Sequence, residues 1–430
     1  MSFVSITHII DVLAEHSLEE ARKAVQIRPH ALAYDNINLS TSIFVEQTAN
    51  TPNKVQSGTF PLIYELMSAK LEDMKLEPIL SRLKNSSPLK MSDLRPSKKS
   101  LESFIAQSAI NVVNRLVKYV KGFDYLKNNP LLQHPERRPL TKGHKTKYYC
   151  LRASTIEEAS VQGNILVHDD VYCVQLKLDA DDPIINLQAI PTINDQLTNA
   201  RIRGAQEMRA QDVSSWEQRR IFQIAFGVFH LVMNLIWALL QNHCGTTNDL
   251  GSLSHFFLIL EKTRLGGEHP DYHTLLSTLM QILDGLLLNA WRTEYGSLED
   301  YAKSKPGPDK ILQNARVILD KYATPECKQM FAKPPKEQRD TNVTSNPVPT
   351  SSPNPSSQPD TVHANTVLLI RDLLYVTELI NAISAGDFGR VEDVLPDLAC
   401  TFRGAGSNNY STEILHLLFN IKEVWTPEFA

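Results

Sequence analysis

A chain of 430 residues, 42% hydrophobic and 21% charged, has room for roughly two or three domains and a sizeable core. Those proportions exclude a wholly disordered chain, a collagen-like fibre and a disulfide scaffold, and 44 basic against 48 acidic side chains leave a net charge of only -4. The five cysteines (Cys150, Cys173, Cys244, Cys327 and Cys400) are scattered without a C-x-x-C pair, which suggests neither a zinc ribbon nor a disulfide framework and points to a reducing compartment.

The N-terminal MSFVSITHIIDVLAEH lacks a basic leader, and Asp11 and Glu15 interrupt its apolar run. No signal peptide is expected, so the expected location is nuclear or cytoplasmic. Two segments then read as paired strands from their near-alternating β-branched and aromatic residues, HALAYDNINLS from His30 and VQSGTFPLIYEL from Val55, joined by a polar loop. Between Lys75 and Tyr149 the chain carries sixteen Lys and Arg against five Asp and Glu, a local charge of +11 that leaves -15 for the remainder. Such a block suits a polyanion, because neutralising phosphates releases counterions, although a solvated helical surface explains it equally well. Within it Ile110, Val113, Val117 and Val120 recur at helical spacing, with Asn114, Lys118 and Lys121 opposite, so an amphipathic helix with a basic wet face is expected.

A third strand is expected in INLQAIPTINDQL from Ile185, running into a helix that begins near Thr198, and a fourth in FQIAFGVFH from Phe222. The apolar run Ile221 to Gln241 is long enough to be weighed as a membrane span. Gln223, His230 and Asn234 lie inside it, and intramembrane polar groups are costly, so a buried strand followed by a buried helix is the better reading and no membrane partner is expected. From Lys333 to Val362 the text holds seven of the 24 prolines and hardly any apolar residues, which reads as a disordered linker. Beyond it an all-helical piece follows, with GDFG at Gly386 as a turn. The expected organisation is an α/β core (1–74 and 161–240) interrupted by a basic helical segment (75–160), a helical insertion (241–332) and the linker (333–362), and closed by a helical part (363–430).

Three carboxylates stand out by position. Asp35 shares strand parity with Ala31, Ala33, Ile37 and Leu39, Asp195 with Ala189, Ile193 and Leu197, and Glu413 lies beside the apolar stripe of the last helix. An ionised carboxylate on a core-facing position is expensive unless paired or metal-bound. Three of them converging from separate elements are suited to Mg²⁺ or Mn²⁺, whose hard character selects oxygen donors for phosphoryl transfer. The plainer reading makes Asp35 and Asp195 strand-end turn formers and Glu413 a partly exposed side chain.

The segments AYDNIN at Ala33, QSGTFPLI at Gln56, NDQLTNARIRGAQEMR at Asn194, FGVFHLVMN at Phe226 and AGDFGRVEDVLPDLACTFRGAGSNNYSTEILHLL at Ala385 closely resemble the domain-of-unknown-function 6589 family, abundant in mushroom-forming fungi. The resemblance covers most of the chain outside the linker and carries no established activity. The order Asp, Asp, helical Glu is in turn similar to ribonuclease-H-like DDE transposases with a large helical insertion before the Glu. That likeness implies an α/β fold with a ribonuclease-H-like mixed sheet, interrupted by large all-α insertions, and catalytic, metal-holding roles for Asp35, Asp195 and Glu413. The separations are 160 and 218 residues, so long insertions are required. Asn194 stands where the family usually has Gly before DQLT. Only 34 residues precede Asp35, too few for a zinc-finger DNA-binding module, and relatives typically run further past Glu413, so a fragment, a decayed copy or a trimmed gene model is expected.

His230 and Asn234, at i and i+4 on one helix, are candidates for groups that support the metal ligands, against the plainer reading of a hydrogen-bonded core histidine. Arg201, Arg203 and Arg209 follow Asp195 on a helix and, with Lys118 and Lys121, are candidate phosphate contacts; solvated helix charges are the plainer alternative. His243, Cys244 and His255 match no common zinc spacing, and GDFG stands without the companion motifs of a kinase. The leading expectation is metal-dependent DNA strand cleavage or transfer. The alternatives are a catalytically inactive nucleic-acid- or protein-binding descendant and a helical scaffold with no nucleic-acid role.

Overall fold

The computed structural model describes residues 3–40, 55–179, 181–324 and 360–430, and the chain divides into two compact units. The first comprises Met1–Leu94, Leu140–Leu231 and Ser407–Ala430, the second Arg95–Pro139 and Val232–Gly406. The 75–160 segment and the C-terminal 363–430 part are therefore each shared between units. The polar connection after residue 40, Cys327 and the Pro-rich stretch as far as residue 359 lie outside the described residues. Thr361 and Val362, expected in the linker, belong instead to a helix capped by the Asp360 carboxylate, which accepts from His363 N at 2.9 Å.

The first unit is built on a five-stranded mixed sheet. Its strands are β1 (His30–Ser40), β2 (Val55–Glu65), β3 (Lys147–Cys150), β4 (Ile190–Asn194) and β5 (Phe222–Phe226), in the order β3-β2-β1-β4-β5. β2 pairs antiparallel with both β1 and β3, whereas β1, β4 and β5 run parallel, with Leu32 opposite Thr192 and Thr192 opposite Ile224. Parallel neighbours need crossover connections, and helices supply them. Val161–Asp169 lies between β3 and β4, and Gln196–Met208 between β4 and β5.

Four expected strands are present, and the third is shorter than expected. Pro183 opens a short helix, Pro183–Leu187, whose N-cap Asp182 accepts from Ile184 N at 2.8 Å. A proline with φ already set for a first helical turn explains why Ile185 and Leu187 are helical rather than extended. β3 escapes a reading by alternation because it is only four residues long and mostly exposed.

The expected buried strand and helix replace the weighed membrane span: β5 ends at Phe226 and Val228–His243 follows as a helix. Among the described residues no helix is long and apolar enough to cross a membrane.

The second unit is helical. Its principal helices are Lys98–Tyr119, Tyr272–Tyr295, Pro308–Tyr322, Thr361–Ser384 and Phe388–Gly404. Ile110, Val113 and Leu116 of the first are buried, as are Leu279, Leu283, Leu287 and Trp291 of the second and Ile311, Ala315 and Ile318 of the third, each set at helical spacing. The wet face of Lys98–Tyr119 is not simply a basic stripe. Asp284 accepts from Lys118 Nζ at 3.1 Å and from Tyr119 Oη at 2.5 Å, and lies 2.6 Å from Arg115 Nε. In GDFG, Gly386 takes the left-handed φ of 64° that makes the turn, and Asp387 caps the next helix while accepting from the backbone N–H groups of Arg137 and Arg138 at 2.8 Å.

A buried ion pair anchors this unit. The Arg390 guanidinium grips the Glu378 carboxylate through two bonds of 2.7 and 2.9 Å, with Asn111 Nδ2 3.5 Å from the same carboxylate. Replacing Arg390 by Met would strand a buried carboxylate, so stability should fall by about 3–5 kcal/mol. The midpoint of chemical denaturation measures this, and an unchanged midpoint would show that the pair contributes nothing.

Candidate functional site

Asp35 and Asp195 meet at one end of the sheet because β1 and β4 are parallel neighbours. With Leu32 opposite Thr192, Asp35 stands three residues further along β1 and Asp195 just past the end of β4, and the Asn194 side chain ties β4 to β1 by accepting from Tyr34 N at 3.2 Å. The carboxyl ends of parallel strands are where open α/β sheets bind ligands.

The parity argument misjudged the surroundings of both acids. β1 is buried at His30, Ala31, Leu32 and Tyr34 and opens to solvent from Asp35, whose side chain is 62% exposed. The strand outruns its covering layers, so shared parity with Ala31 does not bury Asp35. Asp195 is not a strand residue. It is the N-cap of Gln196–Met208, accepting from Thr198 N at 2.7 Å, and Ile193 and Leu197 beside it are themselves exposed. Asp195 thus matches the plainer turn-and-cap description, whereas Asp35 does not: it lies within β1, opposite Phe60 of β2.

His230, one turn into the helix after β5, places Nε2 3.7 Å from Asp35 Oδ2. The imidazole holds the Asp35 carboxyl below its usual range, and the carboxylate raises the His230 pKa in return. Asn234, four residues on, belongs to the second unit.

Glu413 sits on helix Asn408–Phe419 and is 3% exposed. Burial raises its pKa, against the opposing pull of Arg203. Arg203 forms an ion pair with it, and Asn199 Nδ2 donates to Oε2 at 3.2 Å. Asn199 also donates to Ala225 O at 3.1 Å, and Asn194 Nδ2 lies 3.5 Å from Asn199 Oδ1. Asn194, where the resemblance leads one to expect Gly, therefore joins β1, β4 and the Glu413 cluster.

The expected phosphate contacts are differently employed. Arg203 is committed to Glu413, Arg209 Nε binds Asp212 at 2.6 Å, and Arg201 Nη1 donates to the backbone carbonyl of Glu158 at 3.1 Å. In the second unit Lys118 is committed to Asp284, while Lys121 is exposed. His243 bonds Asp372 at 2.8 Å and His255 bonds Thr247 O at 2.9 Å. Among the described residues no group of three or more His, Cys, Asp or Glu is near enough to hold a metal ion.

The residue missed in the sequence is Glu158. It is fully buried, and Thr198 Oγ1 donates to its Oε2 at 2.9 Å. Its other oxygen, Oε1, has no hydrogen-bond partner among the described residues. Its backbone carbonyl is held by Asn164 Nδ2 at 2.7 Å as well as by Arg201. Gly163 allows the approach, because a Cβ there would stand 2.0 Å from Glu157 O. Burial pushes the Glu158 pKa up to about 7, and the negative charges of Asp195 and Asp35 add to the rise. The stretch STIEEASVQGN has no periodicity that would mark this glutamate. Its one legible signal is Thr198 three residues after Asp195, a spacing that caps the helix and leaves the threonine hydroxyl for a second acid.

The elevated pKa sets a pH dependence. A glutamate that ordinarily titrates at 4.5 and titrates at about 7 in the fold binds more protons folded than unfolded between those values, so stability falls as pH rises through that window. Glu158→Gln removes the effect. The variant should match wild type near pH 5 and exceed it at pH 8 by an amount on the order of 3 kcal/mol. Denaturation midpoints at pH 5, 6.5 and 8 measure the difference, and parallel curves would show that Glu158 does not titrate in this window.

The comparisons with known proteins supply a family and nothing finer. No curated protein and no solved structure matches. The family model DUF6589, described as a family of unknown function, matches residues 83–430, a span that holds β3, β4, β5, Glu158, Asp195 and Glu413 and begins after Asp35. The chain belongs to the DUF6589 family.

Proposed function

We propose that the chain is a transposase-derived protein with a ribonuclease-H-like core, and that the carboxyl end of β1 and β4 carries out metal-dependent cleavage or joining of DNA strands. The observation that carries this reading is the placement of Asp35 on β1 and of Asp195 just past its parallel neighbour β4, each three residues beyond the paired Leu32 and Thr192. The mixed sheet, antiparallel through β3-β2-β1 and parallel through β1-β4-β5, supports the assignment of the core. Glu413 reaches the same end through Asn199, which touches both Asn194 and the Glu413 carboxylate.

Every candidate ligand is a carboxylate oxygen, the donor type a hard divalent cation selects, but among the described residues the three acids are not grouped closely enough to hold an ion as they stand. For Asp35, Asp195 and Glu413 to hold such an ion their carboxylates would have to draw together; an ion bound there would supply charge stabilisation at the phosphoryl group and a more acidic water. The protein's own contributions are separate. His230 orients Asp35 and keeps it ionised. The N-terminus of Gln196–Met208 stabilises the charge of Asp195 through the Thr198 N–H. Arg203 and Asn199 hold Glu413 in one orientation. Arg203 and Lys118 are already paired, and Lys121, in the second unit, is an exposed cation of the kind that meets a backbone phosphate.

A second reading rests on the ion pair between Arg203 and Glu413. An arginine that already neutralises the third acid suits a catalytically inactive, nucleic-acid-binding descendant in which the guanidinium replaces the cation. Labelled DNA incubated with Mg²⁺ or Mn²⁺ separates the two. Cleavage by wild type that falls at least about 100-fold in Asp195→Asn supports the enzyme. Equal cleavage by both proteins, or none by either, sinks it. Binding that weakens steeply between low and moderate salt without cleavage is the expectation for the descendant.

A further inference from the structure

We infer that a cavity in the second unit, between helices Thr361–Ser384 and Phe388–Gly404, binds a small primary amine, with the Asp397 carboxylate receiving the ammonium group. The cavity has a volume of about 320 Å³, at the lower end of the range for small-molecule sites. It is independent of the acids in the first unit. Arg371, Asp372 and Tyr375 line it from one helix and Asp397, Cys400 and Thr401 from the other. Within each set the outer residues are one turn apart, so each helix turns a polar face into the same space.

The charges of this lining leave one carboxylate over. The Arg371 guanidinium is spent on Asp372, with Nε 2.8 Å and Nη2 2.7 Å from Oδ1, and His243 Nε2 stands 2.8 Å from the other Asp372 oxygen. Asp372 is therefore buried but neutralised. Asp397 is half-buried and differently placed. Burial raises its pKa, against a hydrogen bond from the Tyr375 hydroxyl and the charge of Arg371, which reaches it without a hydrogen bond. A carboxylate withdrawn from water without a cation of its own is costly, and one positive charge completes the cavity.

The hydroxyl groups select the same chemistry. Tyr375 spends its hydrogen on the Asp397 carboxylate, and Thr401 Oγ1 spends its hydrogen on the Asp397 backbone carbonyl at 3.0 Å. Each hydroxyl oxygen is thereby left to the cavity as an acceptor, beside the Asp397 carboxylate. A ligand that only donates meets this set, and an ammonium group has three N–H donors and no acceptor. The Tyr375 ring is stacked on Phe104, with centroids 4.1 Å apart, which fixes its hydroxyl relative to Asp397. Asn242 and Cys400 are exposed and stand at the mouth.

The test uses the full chain with n-butylamine, and n-butanol as an uncharged molecule of the same length. Calorimetry at low ionic strength is expected to show the amine binding to wild type. The alcohol should bind wild type, and the amine should bind Asp397→Asn, at least about tenfold more weakly, since a hydrogen bond to a charged group is worth that much. Asparagine keeps the acceptor for Tyr375 and removes only the charge. A second measurement needs no substitution: alkylation of Cys400 by iodoacetamide, followed by peptide mass spectrometry, should slow in the presence of the amine, while the exposed Cys150 of the first unit keeps its rate. Wild type that binds no amine overturns the inference, and so does an alcohol that binds as tightly. Undiminished binding by Asp397→Asn has the same result. If that variant fails to fold, the alcohol and Cys400 decide, and an amine that binds without protecting Cys400 lies elsewhere and overturns the assignment.

Discussion

Four carboxylates at one end of a sheet cannot all be charged and close without compensation, and the first unit is arranged around that constraint. Each acid is balanced differently. Asp35 leans on His230 and on water, Asp195 on the start of a helix, and Glu413 on the half-buried Arg203 guanidinium. Glu158 is the exception, with a raised pKa as the measurable consequence. Because the deficit falls on a residue locked by Asn164, Arg201 and Thr198, relaxation of the surroundings does not remove it. A proton resolves it, which links stability and pH in one side chain.

The same constraint separates an enzyme from a silent relative. In a working two-ion centre a third acid must be available, and here it is already neutralised. The first unit keeps Asp35 and Asp195 beside the β1–β4 pairing while Glu413 is paired with Arg203. Family membership leaves both open, because DUF6589 is a family of unknown function. The helical unit is organised on its own terms, around the Arg390–Glu378 pair and an apolar core, with the basic residues of Lys98–Tyr119 partly spent on Asp284.

Local patterning was legible wherever a single element decides the outcome. Alternation placed β1, β2 and β5, and the D-Q-L-T start of Gln196–Met208 carried its own cap. GDFG read correctly as a turn for the same reason, since a left-handed Gly386 and a capping Asp387 are local devices. Alternation failed at Pro183–Leu187, where a capped proline outweighs apolar content, and at β3, which is too short to show a period.

By itself, then, the sequence determined the elements and the identity of three of the acids, because propensity, capping and periodicity act within a few residues. Tertiary structure decided the rest. It brought Asp35 near Asp195 across 160 positions through one parallel pairing, left Asp35 exposed within β1, and paired Arg203 with Glu413. It also created Glu158 as a functional candidate. Burial and charge compensation are properties of surroundings assembled from distant segments, and no spacing along the chain encodes them.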